Sequence, residues 1–100
     1  MSFRLFVRPE VNADLLEAEM WYERQRPGLG VEFLQAVRRA MSSLRDNPFR
    51  YSVRNRRLQV RWSYPRPFPY RIVYRVVQDT VVIYTVLHSA RDEHRWQKRV

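Results

Sequence analysis

The first quarter of the chain changes from an alternating pattern of apolar residues to a helical one. Between Phe3 and Arg8 every second residue is apolar, and this two-residue period predicts a first strand that Pro9 interrupts. Four apolar residues then recur at the i, i+4, i+7 and i+11 positions of one helix face: Val11, Leu15, Ala18 and Tyr22. Because proline suits the first helical turn, the pattern predicts helix one from about Glu10 to Arg24.

A second helical pattern follows a short connection. The stretch from Gln25 to Gly30 contains both glycines of the chain and one proline, which predicts a tight link between two antiparallel helices. The next apolar positions form one stripe: Phe33, Leu34, Val37, Met41 and Leu44. Since Asp46-Asn47-Pro48 cannot continue a helix, we expect helix two from about Gly30 to Arg45.

The second half of the chain has the two-residue period of strands. Leu58, Val60 and Trp62 alternate with Arg57, Gln59 and Arg61 and predict strand two, and the proline-rich interval 63–69 predicts a turn or an edge segment. Tyr70–Val77 and Val81–Leu87 predict strands three and four, paired antiparallel through a three-residue link. Strand four should be central, because both of its faces are apolar. The polar tail Ser89–Val100 is expected to hold one helical turn anchored by Trp96.

The element order β-α-α-β-β-β predicts an α+β fold. In it an N-terminal strand and a two-helix antiparallel hairpin pack on one face of a small antiparallel sheet, and the other face stays partly open. A chain of 100 residues suits one hydrophobic core, so a single domain over residues 1–100 is expected.

Charge is distributed very unevenly along the chain. Residues 1–49 hold seven Arg and seven acidic residues, whereas residues 50–100 hold twelve cations and three acidic residues, so the whole net charge of +9 lies in the second half. Such a field attracts phosphate or an acidic protein segment. Four arginines have the strand parity to share the open sheet face and bind such a partner: Arg57, Arg61, Arg71 and Arg75. The alternative is a solvated face whose arginine stems cover apolar side chains.

Several classes of function lack their residues. The chain has no cysteine, which suits a reducing cytoplasm, and no apolar run approaches the roughly 20 residues of a membrane span. His88 and His94 are isolated from any ligand cluster, so we predict no metal site. Gly28 and Gly30 are wrongly spaced for a phosphate-binding loop, and no cofactor is expected.

Four motifs, in this order, resemble the RelE/ParE superfamily of toxins from bacterial type II toxin-antitoxin systems. They are WYERQRPGLG with the following Phe33, the DNP after helix two, the FPYRIVYRV strand and the terminal HSARDEHRWQKR. The resemblance covers nearly the whole chain and is strongest to the ParE-like branch, often called plasmid stabilisation proteins. It implies a cytoplasmic toxin that a cognate antitoxin neutralises by covering the basic surface in a hetero-oligomeric complex.

The resemblance leaves two molecular targets open. ParE-like members act on DNA gyrase, whereas RelE-like members cut mRNA on the ribosome and need acid-base and phosphate-binding residues. Four residues are candidates for the nuclease roles: Tyr70, Arg71, His88 and Arg91. The second catalytic residue common at the family's C-terminus is missing, because Ser89-Ala90 follow His88. We therefore expect gyrase inhibition first, a metal-independent mRNA endonuclease second and a non-catalytic RNA-binding domain third.

Three aromatic residues flank the predicted helix connection. Trp21 and Tyr22 end helix one, and Phe33 follows the loop. Large aromatic side chains at such positions are expected to pack between the helices, with contact to the antitoxin as the alternative.

Overall fold

The computed structural model describes residues 2–90 and 95–100 and contains two α-helices and five strands. The helices are α1 (Glu10–Gln25) and α2 (Leu29–Asp46), and a short 3-10 helix lies near the C-terminus (Arg95–Lys98). The strands are β1 (Arg4–Val7), β2 (Val53–Asn55), β3 (Val60–Ser63), β4 (Tyr70–Val77) and β5 (Thr80–His88).

The strands form one sheet in the order β1-β5-β4-β3-β2. The α+β class, the N-terminal strand and the helix hairpin are confirmed. The predicted strand four corresponds to β5, which lies in the interior of the sheet between β1 and β4. The sheet is mixed rather than wholly antiparallel, because β1 pairs in parallel with β5 while the other pairs are antiparallel. It also has one strand more than expected, because the three residues of β2 are too few to show alternation in the sequence.

The predicted strand two begins too early in the chain. Residues 56–59 form a turn, in which the Asn55 side chain accepts a hydrogen bond from the Leu58 amide at 2.9 Å and Gln59 takes a positive φ of 56°. An Asn side chain that bonds to the backbone in this way favours a turn over a strand. The strand therefore begins at Val60, and Arg57 lies outside it.

The main core lies between the helices and one face of the sheet, which we call the helix face. Burial of apolar area here is the principal force that holds the helices on the sheet. The helices contribute Val11, Ala18, Tyr22, Phe33, Val37, Met41 and Leu44, and the sheet contributes Tyr70, Ile72, Tyr74, Val81, Ile83 and Val86.

A second, smaller core lies on the opposite face of the sheet, which we call the open face. It joins Val60, Val73 and Leu87 to Trp96 of the 3-10 helix, with Leu58, Trp62 and Val100 packed around them. The helical turn anchored by Trp96 is thus confirmed, since Trp96 is buried. The C-terminal segment covers part of a face that the sequence predicted to be open.

The two glycines shape the helix hairpin in different ways. Gly28 has a φ of 90°, a conformation that other residues rarely adopt, and it precedes α2. Gly30 lies so close to α1 that a Cβ there would meet the Glu19 carbonyl oxygen at 2.8 Å. The Glu23 carboxylate accepts hydrogen bonds from both glycine amides, at 3.0 and 3.1 Å, which places a negative charge at the start of α2.

Candidate functional site: an aromatic cleft and a divided set of polar residues

Tyr70 and His88 lie side by side on the helix face. They are register partners on β4 and β5, and their rings meet edge to face with centroids 5.3 Å apart. His88 Nδ1 accepts a hydrogen bond from the Ala90 amide at 3.1 Å. That bond fixes the neutral ring as the Nε2–H tautomer, so Nε2 is the atom that could donate a proton or a hydrogen bond.

A cleft of about 450 Å³ opens at this pair and is lined by Trp21, Tyr22, Pro69, Tyr70 and His88. Tyr22 and Phe33 are buried and stack with ring centroids 5.2 Å apart, so they serve packing. Trp21 packs edge-on against Tyr22 and is still 41% exposed. Of the three aromatic residues named from the sequence, only Trp21 has a large apolar surface exposed to solvent.

A second cleft, of about 650 Å³, shares Tyr22 and Pro69 with the first and runs along the helix hairpin. Arg26, Glu32 and Arg39 contribute charged groups to its wall, and Phe68 contributes an apolar one. Residues of the proline-rich loop 64–69 line part of the wall of both clefts. The two clefts therefore form one continuous concave surface between the loop and the helix hairpin.

Arg71 lies on the other side of the sheet. It pairs in register with Leu87 on the open face, its guanidinium carbon is 4.0 Å from the Trp62 ring centroid, and it donates to the Ser89 carbonyl oxygen at 2.9 Å. Consecutive residues of a strand point to opposite faces, so the side chains of Tyr70 and Arg71 project from different sides of the sheet.

A β-bulge decides on which face His88 lies. The pairing of β4 with β5 shifts between Val73 and Tyr74, which leaves Tyr84 without a register partner. Regular alternation from the hairpin turn would set Leu87 beside Tyr70, and the extra residue sets His88 there instead. The bulge therefore places His88 on the helix face, whereas Arg71 lies on the open face. The fourth nuclease candidate, Arg91, lies outside the described residues.

The four arginines predicted to share one face are also dispersed. Arg57 lies in the turn before β3, and Arg61 pairs with Tyr74 on the helix face, where it donates to the Tyr51 carbonyl oxygen at 2.5 Å. Only Arg71 and Arg75 project from the open face, and both are largely covered. The prediction of a shared four-arginine face was wrong. The turn at residues 56–59 removes Arg57 from the strand, and the register of β3 with β4 puts Arg61 on the same face as Tyr74.

Arg61 also affects a buried tyrosine. Burial raises the pKa of Tyr74 to about 12, although the nearby positive charge of Arg61 acts to lower it. The Tyr74 hydroxyl donates to the Pro48 carbonyl oxygen at 2.7 Å and so ties β4 to the segment after α2.

The sequence reasoning missed a buried polar cluster at the edge of β5. Asp14 of α1 accepts hydrogen bonds from the Thr85 hydroxyl at 3.0 Å and the Val86 amide at 3.2 Å. Arg99 pairs with both carboxylate oxygens, at 2.5 and 3.0 Å, and donates to the Tyr84 carbonyl oxygen at 3.3 Å. The Asp14 carboxylate raises the pKa of Arg99 through these hydrogen bonds.

This cluster has a structural explanation. β1 pairs only with Thr80 to Ile83, so the rest of β5 has no neighbouring strand on that side. Asp14 and Arg99 bind backbone groups of Tyr84 and Val86 that a longer β1 would have bound. One signal for this cluster was present in the sequence: Asp14 lies three residues after Val11 and therefore on the apolar side of helix one.

Neither a metal centre nor a membrane helix is found within residues 2–90 and 95–100. No group of three or more His, Cys, Asp or Glu side chains there is placed to hold an ion. No helix in that part of the chain combines the length and the apolar character needed to cross a bilayer.

Comparison with known proteins places the chain in a family. The model of the ParE toxin of the type II toxin-antitoxin system parDE matches residues 5–93. A solved structure titled as the chromosomal ParDE TA system from P. aeruginosa has a chain that superposes with a TM-score of 0.75 at 17% identity, over 87% of this chain and 96% of that one. No curated protein matches the chain significantly. Because the family model spans nearly all of the sequence, the chain belongs to the ParE toxin family of type II toxin-antitoxin systems.

Proposed function

We propose that this chain is a growth-inhibiting toxin that acts on DNA gyrase through protein-protein contact and does not cut RNA. The observation that carries the proposal is the position of His88 and Arg71 on opposite faces of the sheet. Cleavage of a phosphodiester bond through the ribose hydroxyl needs proton-transfer groups and a phosphate-binding cation within reach of the same atoms. Among the described nuclease candidates, Tyr70 and His88 lie on one face of the sheet and Arg71 lies on the other.

The exposed surface of α1 supports contact with a protein. Leu16 and Met20 lie one turn apart and are 56% and 52% exposed, and Trp21 borders the aromatic cleft. Apolar side chains grouped on one exposed helix are typical of interaction surfaces. Membership of the ParE family makes gyrase the first target to test.

The test is to induce the gene alone in a bacterial host and to follow the synthesis of DNA, RNA and protein separately. We expect DNA synthesis to fail first, with filamentation, and the purified chain to inhibit supercoiling by gyrase. His88→Ala and Arg71→Ala variants that still fold should keep their toxicity. An early arrest of translation with cleaved transcripts, lost in the His88→Ala variant, would refute the proposal and favour the endonuclease.

We further propose that an acidic antitoxin neutralises the chain in a hetero-oligomeric complex in the cytoplasm. The net charge of +9 should speed its association and make the affinity fall as salt rises. Trp21→Ala should weaken binding at least tenfold by removing an aromatic anchor, whereas Arg24→Ala, on the same helix, should change it only a few-fold. An affinity for the antitoxin that does not change with salt concentration would contradict the proposed electrostatic contribution to binding.

A further inference from the structure

One edge of the sheet carries a concentration of exposed arginines that the proposed inhibition of gyrase does not use. Between residues 50 and 66 the chain has six arginines and no acidic residue. Five of them are exposed. The four that lie on β2, on the turn after it and on the loop after β3 form a set that we call the arginine edge: Arg54, Arg56, Arg57 and Arg66.

Tyr64 brings the two ends of this segment together. Arg54 Nη2 donates to the Tyr64 hydroxyl at 3.1 Å, and the Arg66 guanidinium carbon is 5.7 Å from the Tyr64 ring centroid. The pairing of β2 with β3 sets Arg56 and Arg57 in the turn at the other end of the same edge. All four arginines are exposed, and none of them forms an ion pair with a described residue.

An acidic peptide is not the best partner for this edge. Peptide segments bind through apolar anchors, and charges at the rim add little affinity. Within the described residues, the exposed large apolar side chains lie elsewhere, on α1, on α2, on β1 and at the end of β4. The exception is Phe49, which already packs against Phe3 at 5.7 Å between centroids and beneath the Arg61 guanidinium at 5.2 Å.

A single strand with unstacked bases is also a poor fit. Proteins hold single strands by stacking bases on free aromatic faces. Here the Trp62 ring lies under the guanidinium groups of Arg54 and Arg71, at 5.0 and 4.0 Å, and Tyr64 lies under Arg66. These two rings are therefore occupied by the protein's own cations.

We propose that the arginine edge binds the phosphate backbone of double-helical nucleic acid without reading its sequence. The length of the edge agrees with this partner. At ~3.3 Å per residue the four residues of β3 extend for roughly 13 Å. One strand of a DNA duplex carries about four phosphates over that distance, at about 3.4 Å of axis each. Guanidinium groups bind phosphate oxygens bidentately, so four exposed arginines suffice for a backbone contact.

The experiment measures binding of the purified full chain to a short, mixed-sequence, fluorescent DNA duplex by anisotropy at several salt concentrations. The test variant carries Arg56→Ala, Arg57→Ala and Arg66→Ala, and Arg54 is kept because it packs on Trp62. The control carries Arg24→Ala, Arg38→Ala and Arg39→Ala, three exposed helix arginines whose loss changes the net charge equally. Circular dichroism checks that both variants fold.

We expect the edge variant to lose about 100-fold in affinity at low salt, and its slope of log affinity against log salt to fall by about 2.7, the effect of three lost phosphate contacts. The control should lose only a few-fold. Comparable binding of an RNA duplex of the same sequence would support a backbone contact shared by both helices, and weaker binding would assign the edge to DNA.

Two results would overturn the proposal. Equal losses of affinity in the edge variant and the control would mean that binding depends only on the net charge of the protein. Tighter binding of a single strand or of polyglutamate than of the duplex would show that the edge serves a different partner. Neither result depends on whether the chain inhibits gyrase, so this proposal can fail or succeed independently of the proposed function.

Discussion

Replacing Arg99 with alanine should destabilise the fold far more than the loss of a typical surface cation. The Asp14 side chain is only 1% exposed, and both of its oxygens pair with Arg99, whose side chain is 18% exposed. After the substitution a buried carboxylate would keep two neutral donors, the Thr85 hydroxyl and the Val86 amide. A charge left in this way is poorly compensated, because burial has removed most of its water.

The expected cost is about 3 kcal/mol, the lower end of what is lost when one partner of a buried ion pair is removed. That is a large share of the roughly 5 to 15 kcal/mol that stabilises a domain. The matched control is Arg8→Ala, which breaks the partly exposed pair with Glu10 at 2.6 Å, where the side chains are 40% and 37% exposed. Its cost should stay below about 1 kcal/mol, since solvent screens exposed pairs.

The assay is urea unfolding followed by tryptophan fluorescence, with a double-mutant cycle between Arg99→Ala and Asp14→Ala. The cycle should give a coupling free energy of about 2 kcal/mol or more that persists in about 0.5 M salt, where exposed pairs are screened. If Arg99→Ala costs no more than Arg8→Ala, or if the coupling is near zero, then the cluster does not hold the C-terminal segment to α1.

Two further predictions concern buried contacts of the core. The pKa of Tyr74 rises on folding from 10.0 to about 12, so between these pH values the folded state keeps a proton that the unfolded state loses. The free energy of unfolding should therefore fall by roughly 2 to 3 kcal/mol as pH rises from about 10 to 12. Urea unfolding across this range should show a smaller fall in Tyr74→Phe, and an equal fall in both proteins would contradict the prediction. Gly30→Ala should lower the free energy of unfolding by about 1 to 3 kcal/mol, because its Cβ would meet the backbone of Glu19. Gly28→Ala has open space around the added Cβ and should lower it by about 1 kcal/mol, from the positive φ alone. Thermal unfolding of the two variants compares them, and a larger loss at Gly28 would refute this assignment of roles.

The local elements and the family are readable from the order of the residues. The apolar stripe from Phe33 to Leu44 predicts helix two nearly to its observed bounds, and Tyr70–Val77 predicts β4 without error. Such periods are visible because each reflects one face of one element against one core. The adjacency of Tyr70 and Arg71 within a strand also implies that their side chains lie on opposite faces. β2 was missed because three residues carry no period.

Contacts between distant residues depend on the three-dimensional arrangement of the strands. The bulge at Tyr84 turns His88 away from Arg71, and the turn at residues 56–59 separates Arg57 from the strands. The pair of Asp14 with Arg99 joins residues 85 positions apart, where the short β1 leaves backbone groups of β5 without a strand partner. Register, bulges and strand lengths arise from long-range pairing between segments, and a local pattern of apolar and polar residues does not record them.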